Sequence, residues 1–373
     1  MKKASYTGVF ILALCLLSDK STGSCTQKPD SIYYLFGVYA HYGFIIPHSE
    51  AIRDVSGSNP YGIEFNLNIL NTTQKSRSVF SGYWFSGLQA AWFSFNNPEI
   101  LGGAFLLTGY AEPLIIRHEK FLFSVRGGGG ISYHTKIYDE TENPLNKFFC
   151  TGISFPIYVS SRLRFRLTPS LYVNITGTYN HISNGGIKQP NYGMNFPTIS
   201  AGAEYMPVLL PSLAGKSEKD YGYRVKPWSV SLQGLISYKV VDKTETYPEK
   251  GTLATGIHFK LTRRTGYHYA LSVGAEYIND RALEEIISRD GLNTDHKRVA
   301  FTAGQDLIFG KVSFSQHLGV YLYYPYRARD PVYQKYELSY KVSGGLSAGL
   351  FLKAHTYEAE LLGATLSCRL AGW

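Results

Sequence analysis

Past its first residues the chain has no apolar run long enough to cross a bilayer as a helix. The run from Val9 to Leu17 falls far short of the roughly 20 residues that a spanning helix needs, so a helical membrane protein is excluded. Cysteine is scarce: Cys15, Cys25, Cys150 and Cys368 are the only four in 373 residues. So few thiols do not make a disulfide scaffold, and no CxxC or Cys/His spacing suggests zinc. No metal or organic cofactor is implied. Whether Cys150 and Cys368 pair is not readable from sequence. Acidic residues are outnumbered, 28 against 37 basic, which gives a formal charge of +9. That balance favours anionic partners. With no concentrated basic helix and no nucleic-acid motif, the expected partner is a phosphorylated lipid and not a nucleic acid.

What the chain does have is aromatic side chains (15%), 30 tyrosines and 37 glycines, at a mean hydropathy of −0.13. That combination is odd for a soluble enzyme. It fits an outer-membrane barrel, in which Tyr and Trp girdle the interfaces and the lumen face stays polar. From residue 31 onward, period-two alternation punctuated by Gly, Pro, Asn and Asp predicts strands near 31–47, 59–71, 79–96, 101–116, 119–137, 147–166, 170–183 and 195–208. A second series is expected near 224–242, 251–264, 267–280, 296–309, 311–325, 332–343, 345–355 and 357–372. Helical periodicity is convincing only at Arg281 to Ser288. Tight turns at Thr168-Pro169-Ser170 and Phe309-Gly310-Lys311 contrast with longer loops at Asp139 to Lys147, Tyr324 to Pro331 and Asp280 to Lys297. Short turns on one side and long loops on the other are the barrel pattern.

The expected fold is therefore all-β: an antiparallel transmembrane outer-membrane β-barrel of 14 or 16 strands. Lys2, Lys3 and the apolar Val9 to Leu17 read as an export signal over residues 1–24, with lipidation of Cys25 as the lesser alternative. Residues 209–223 form the best internal boundary. One reading is a small barrel followed by a second domain; the preferred reading is one larger barrel over 25–373, because residues 224–373 alternate just as 25–208 do.

The chemistry concentrates in His181-Ile182-Ser183-Asn184-Gly185-Gly186-Ile187-Lys188-Gln189-Pro190-Asn191. Side chains alternate across a strand, so His181 and Ser183 share a face with Tyr179, Gly177, Ile175, Val173 and Leu171. In a soluble domain that apolar face would be core. On a membrane barrel it meets lipid, which places a potential base and a potential nucleophile where only a lipid reaches them. If the chain starts on the periplasmic side, they lie at the extracellular end of the seventh strand, in the outer leaflet.

His181-x-Ser183-Asn184, with Gly186 to Asn191 and Gly193, closely resembles the active-site segment of the lipid A 3-O-deacylase (PagL) family of outer-membrane barrel esterases. The resemblance is specific over 181–193, and the strand layout is compatible over roughly 59–208. It implies hydrolysis of the 3-O-linked acyl ester of lipid A, the lipid anchor of lipopolysaccharide, with Ser183 as nucleophile and His181 as general base. Asn184 and the Gly185 and Gly186 amides are the implied oxyanion donors. Lys188 is a candidate partner for a lipid A phosphate. The glutamate that orients the family's histidine is replaced here by Asn195. Its parity matches that of Pro197, Ile199 and Ala201, so its amide oxygen can approach His181 on the outer wall and fix the ring's tautomer, without the charge of a carboxylate. Glu204 has the opposite parity and is rejected as a substitute. The rival reading is a barrel without hydrolytic activity, acting as a channel, a structural protein or a lipopolysaccharide binder.

Among other features, Arg126-Gly127-Gly128-Gly129-Gly130 lacks the Gly-Lys-Ser/Thr of a phosphate loop and reads as a bend in the barrel wall. Arg162, Arg164 and Arg166 are expected to form a solvated or headgroup-facing row. His41, His48 and His134 are expected to be interface histidines.

Overall fold

The computed structural model describes residues 30–208, 213, 227–356 and 358–373. The export signal, Cys25 and all of the 209–223 boundary except Leu213 lie outside these. Among the described residues sixteen antiparallel strands form, close to the sixteen segments expected from alternation. The first eight are β1 (Ile32–Gly43), β2 (Tyr61–Asn71), β3 (Trp84–Asn97), β4 (Gly102–Arg117), β5 (Phe121–His134), β6 (Ile153–Arg166), β7 (Leu171–Ser183) and β8 (Met194–Tyr205). The second eight are β9 (Trp228–Val241), β10 (Lys250–Arg264), β11 (Tyr269–Asp280), β12 (Lys297–Phe309), β13 (Val312–Tyr323), β14 (Val332–Lys341), β15 (Leu346–His355) and β16 (Glu358–Gly372).

The single larger barrel expected from the sequence is not what forms. β8 returns to pair with β1, from Phe36↔Tyr205 to Gly43↔Thr198, and β9 through β16 close on themselves in the same way, giving two eight-stranded barrels. Alternation could not reveal this, because a strand's period is the same whichever neighbour it pairs with. With both edges of the first sheet used, β9 has nothing to join. A register shift between Arg369 and Ala371 interrupts the β16–β9 ladder near the C-terminus.

In each barrel one parity faces outward and is apolar, as Ile157, Ile175, Tyr179 and Ile199 show in the first and Ile257, Leu271 and Phe301 in the second, all exposed. The other parity fills the lumen. The lower lumen of the first barrel holds Glu64, Glu112 and Glu204 against Arg126, Arg162 and Arg164, with Arg126 to Glu112 at 2.6 Å and Arg164 to Glu204 at 2.8 Å. Arg162 and Arg164 therefore do not form the solvated row expected of them. An eight-stranded interior is just wide enough for side chains, so three guanidiniums are neutralised there by three carboxylates. Arg166, at the strand end, instead donates to the Tyr172 hydroxyl at 3.1 Å. His41 also turns inward, 2.9 Å from Glu64. The upper lumen is sealed by an apolar plug that includes Phe93, Phe95, Phe148, Phe149, Ile182, Met194 and Phe196, and His134 stacks on Phe149.

Among the described residues two α-helices decorate the barrels. α1 (Gln74–Phe80) was not legible in the sequence. α2 (Arg281–Arg289) occupies the place expected of it, capped by Asp280, which accepts the N–H groups of Ala282 and Leu283. The barrels touch at both ends. Below, Phe309 packs against Trp84, ring centroids 4.9 Å apart, and the Ser81 hydroxyl lies 2.7 Å from His268 Nε2. Above, the β7–β8 loop meets β9 and β16. Cys150 and Cys368 are both free thiols.

Candidate active site

β7 ends at the top of the first barrel, and its burial pattern fixes which way each group points. Asn174, Thr176, Asn180 and Ile182 are buried on the lumen side, whereas Ile175 and Tyr179 are exposed on the outer wall. His181 and Ser183 share that outward parity. Ile182 between them, and Met194 and Phe196 on either side of Asn195, plug the upper lumen. Apolar packing inward thus holds the three polar groups outward.

His181 and Asn195 are register partners across β7 and β8. Asn195 Oδ1 lies 2.7 Å from His181 Nδ1. A ring that donates from Nδ1 leaves Nε2 free to accept a proton. Ser183 comes close through Gly193. This glycine has φ of +67°, and a Cβ built on it would lie 3.0 Å from His181 Cε1 and 3.1 Å from Ser183 Cβ. Imidazole and serine therefore crowd the same point. No direct hydrogen bond joins them among the described residues. Glu204 sits in the lumen, bonded to Arg162 and Arg164, and takes no part.

The loop beyond Ser183 is built by Asn184. Its Oδ1 accepts the amides of Gly186 at 3.0 Å and Ile187 at 3.2 Å, and its Nδ2 donates to the Lys188 carbonyl at 2.7 Å. The Asn184 side chain and the Gly186 amide are thus committed within the loop. The Gly185 N–H has no protein partner among the described residues. Cys150 supports the turn from below, its thiol donating to the Lys188 carbonyl at 3.2 Å. Burial pushes that thiol up to about 12. Lys188 does not stand free: its ammonium pairs with Glu249 on the second barrel at 2.6 Å.

The second barrel forms the other wall of this loop. β16 stays paired to β9 only as far as Ser237, and above that point the Val240 N–H donates to the Ile187 carbonyl at 2.7 Å. A Cβ on Gly185 would strike Leu362 at 2.6 Å, and one on Gly186 the Ala359 carbonyl at 2.5 Å. Sequence reading gave no hint of this buttress, because it joins residues far apart in the chain.

Residues 60–204 match the family model described as lipid A 3-O-deacylase (PagL), and residues 228–372 match the one described as acyloxyacyl hydrolase, C-terminal domain. Between them the two matches take in β2 to β8 of the first barrel and all eight strands of the second. The chain belongs to the PagL family. PagL proteins are lipid A deacylases, and the second barrel is itself a recognised PagL C-terminal domain. No curated protein sequence matches the chain significantly. Among solved structures, Neisserial surface protein A overlaps at 7% identity and a TM-score of 0.33, over 47% of this chain and 98% of that one. Omp33 of Acinetobacter baumannii overlaps at 8% and 0.19, over 91% and 99%. A mutant porin of Rh. blastica gives 8% and 0.19, over 91% and 100%. These overlaps are loose, and the architecture rests on the strand pairing described above. A PagL-type barrel is an outer-membrane protein.

Proposed function

We propose that this chain hydrolyses the 3-O-linked acyl ester of lipid A by a serine–histidine mechanism, in the outer leaflet of the outer membrane. Ser183 Oγ attacks the ester carbonyl carbon while its proton passes to His181 Nε2. The tetrahedral intermediate collapses, and the sugar oxygen leaves with that proton. Water, deprotonated in turn by His181, then attacks the acyl-serine and frees the 3-hydroxy fatty acid. The Gly185 amide is the candidate oxyanion donor. Asn184 serves by shaping the loop, and Lys188 serves by anchoring it to the second barrel.

The observation that carries this reading is that His181, Ser183 and Asn195 share one outward face, with the His181–Asn195 bond at 2.7 Å. Such a site is reached from the membrane and not from a pore. The neutral Asn195 gives weight to a second reading, a barrel that holds lipopolysaccharide without cleaving it. Purified chain incubated with lipid A in mixed micelles separates the two. Mass spectrometry should detect the released 3-hydroxy fatty acid with the unsubstituted chain and none with Ser183→Ala. Binding without release from either protein would establish the second reading.

A further inference from the structure

Asn195 raises a problem that a carboxylate would not. An amide has one accepting and one donating atom in nearly the same shape, and only one orientation suits the proposed chemistry. With Oδ1 toward His181, the ring carries its proton on Nδ1 and keeps Nε2 as a base. With the amide turned over, Nδ2 would face the ring, the proton would move to Nε2, and Ser183 would have no acceptor. Nothing in His181 itself selects between these two.

The selection comes from the other side of the amide. After β1 the chain runs on beside β8, the Ile46 N–H donating to the Asn195 carbonyl at 2.8 Å, and so carries His48 over the site. His48 Nδ1 lies 3.3 Å from Asn195 Nδ2, and His48 Nε2 lies 2.9 Å from the Tyr192 carbonyl. A carbonyl can only accept, so His48 donates from Nε2. Its Nδ1 then has a lone pair to accept a hydrogen bond from Asn195 Nδ2, which leaves Oδ1 for His181. The Ile46 carbonyl, 3.4 Å from Nδ1, is the longest of these contacts and offers no donor to compete.

We propose that His48 is a positioning residue: through the Asn195 amide it sets the proton of His181 on Nδ1 and so preserves Nε2 as the base. This rests on the esterase reading for its purpose but not for its measurement.

The test uses the full chain, with its histidines labelled with ¹⁵N, in detergent micelles. Long-range ¹H–¹⁵N spectra report the His181 tautomer directly. The unsubstituted protein should show His181 as a single Nδ1–H form. In His48→Phe the Nδ1–H fraction should fall to about one half or less, since both amide orientations then offer the ring one hydrogen bond. kcat for deacylation should fall by the same factor with KM unchanged. His48→Gln supplies one acceptor and one donor and should restore both readings. A His181 that stays wholly Nδ1–H in His48→Phe overturns the proposal. Absence of hydrolysis in the unsubstituted chain would count against the esterase reading alone, because the tautomer measurement needs no turnover.

Discussion

His181 and Asn195 face one another across the β7–β8 ladder, Nδ1 to Oδ1 at 2.7 Å, an amide standing where a carboxylate would complete a charged triad. The pairing keeps the ring's orientation but lacks the charge that would stabilise an imidazolium. Asn195→Glu should therefore raise kcat. In a serine protease the reverse change, Asp to Asn, costs about 10⁴-fold, which sets a ceiling; a gain of about tenfold or more is expected here. Steady-state release of the fatty acid measures it, and an unchanged or lower rate would contradict the role given to Asn195.

Gly193 is the sharpest geometric test of the site. Its φ is +67°, and an added Cβ would press on both His181 Cε1 and Ser183 Cβ. Gly193→Ala should cost about 1–2 kcal/mol of stability from the left-handed backbone and a much larger share of activity, by forcing base and nucleophile apart. Heat-induced mobility shifts on gels would follow the fold while deacylation follows the site.

The buttress from the second barrel makes two substitutions unequal. Glu249→Ala removes a half-exposed ion pair with Lys188, and surface pairs are worth about 0–1 kcal/mol. Its effect on rate should be severalfold at most. Val240→Pro removes the N–H that holds the Ile187 carbonyl and should lower kcat further, with both barrels still closed. Equal effects from the two would show that the backbone link does not matter.

Glu204→Gln tests the lumen. Its carboxylate is shared between Arg162 and Arg164, and breaking one partner of a buried ionic network costs about 3–5 kcal/mol. The unfolding midpoint should drop while His181 and Ser183, on the opposite face of the wall, keep their chemistry. Loss of activity in protein that is still folded would return Glu204 to the list of orienting groups.

The two thiols should differ in reactivity. Cys150 is buried and its thiol is pushed up to about 12, so it holds very little thiolate at neutral pH. Cys368 is exposed on the outer wall. A membrane-permeant maleimide should label Cys368 first at pH 7.5, with Cys150 gaining ground only as pH rises. Peptide mass mapping reads both.

Strand positions were legible because each strand divides its residues between lipid and lumen. The same rule put His181, Ser183 and Asn195 on one side of the wall and Glu204 on the other. Closure was not legible: which strand β8 pairs with is decided by hydrogen bonds that leave the alternation untouched, so two barrels read as one. Arg162 and Arg164 were misplaced because their neutralising partners, Glu112 and Glu204, come from distant strands. His48 passed as an ordinary interface histidine, since its link to Asn195 exists only once the chain after β1 lies beside β8. Nor did anything local to Lys188 foretell Glu249.

The contact between Ile187 and Val240 has one more effect. Were the supporting wall a separate molecule, it would come and go with the crowding of protein in the membrane, and the loop would tighten only where copies were dense. Here the two walls belong to one polypeptide, so the support is supplied at a fixed effective concentration. Each molecule carries its own neighbour, and its output per copy should be the same in a sparsely populated bilayer as in a packed one.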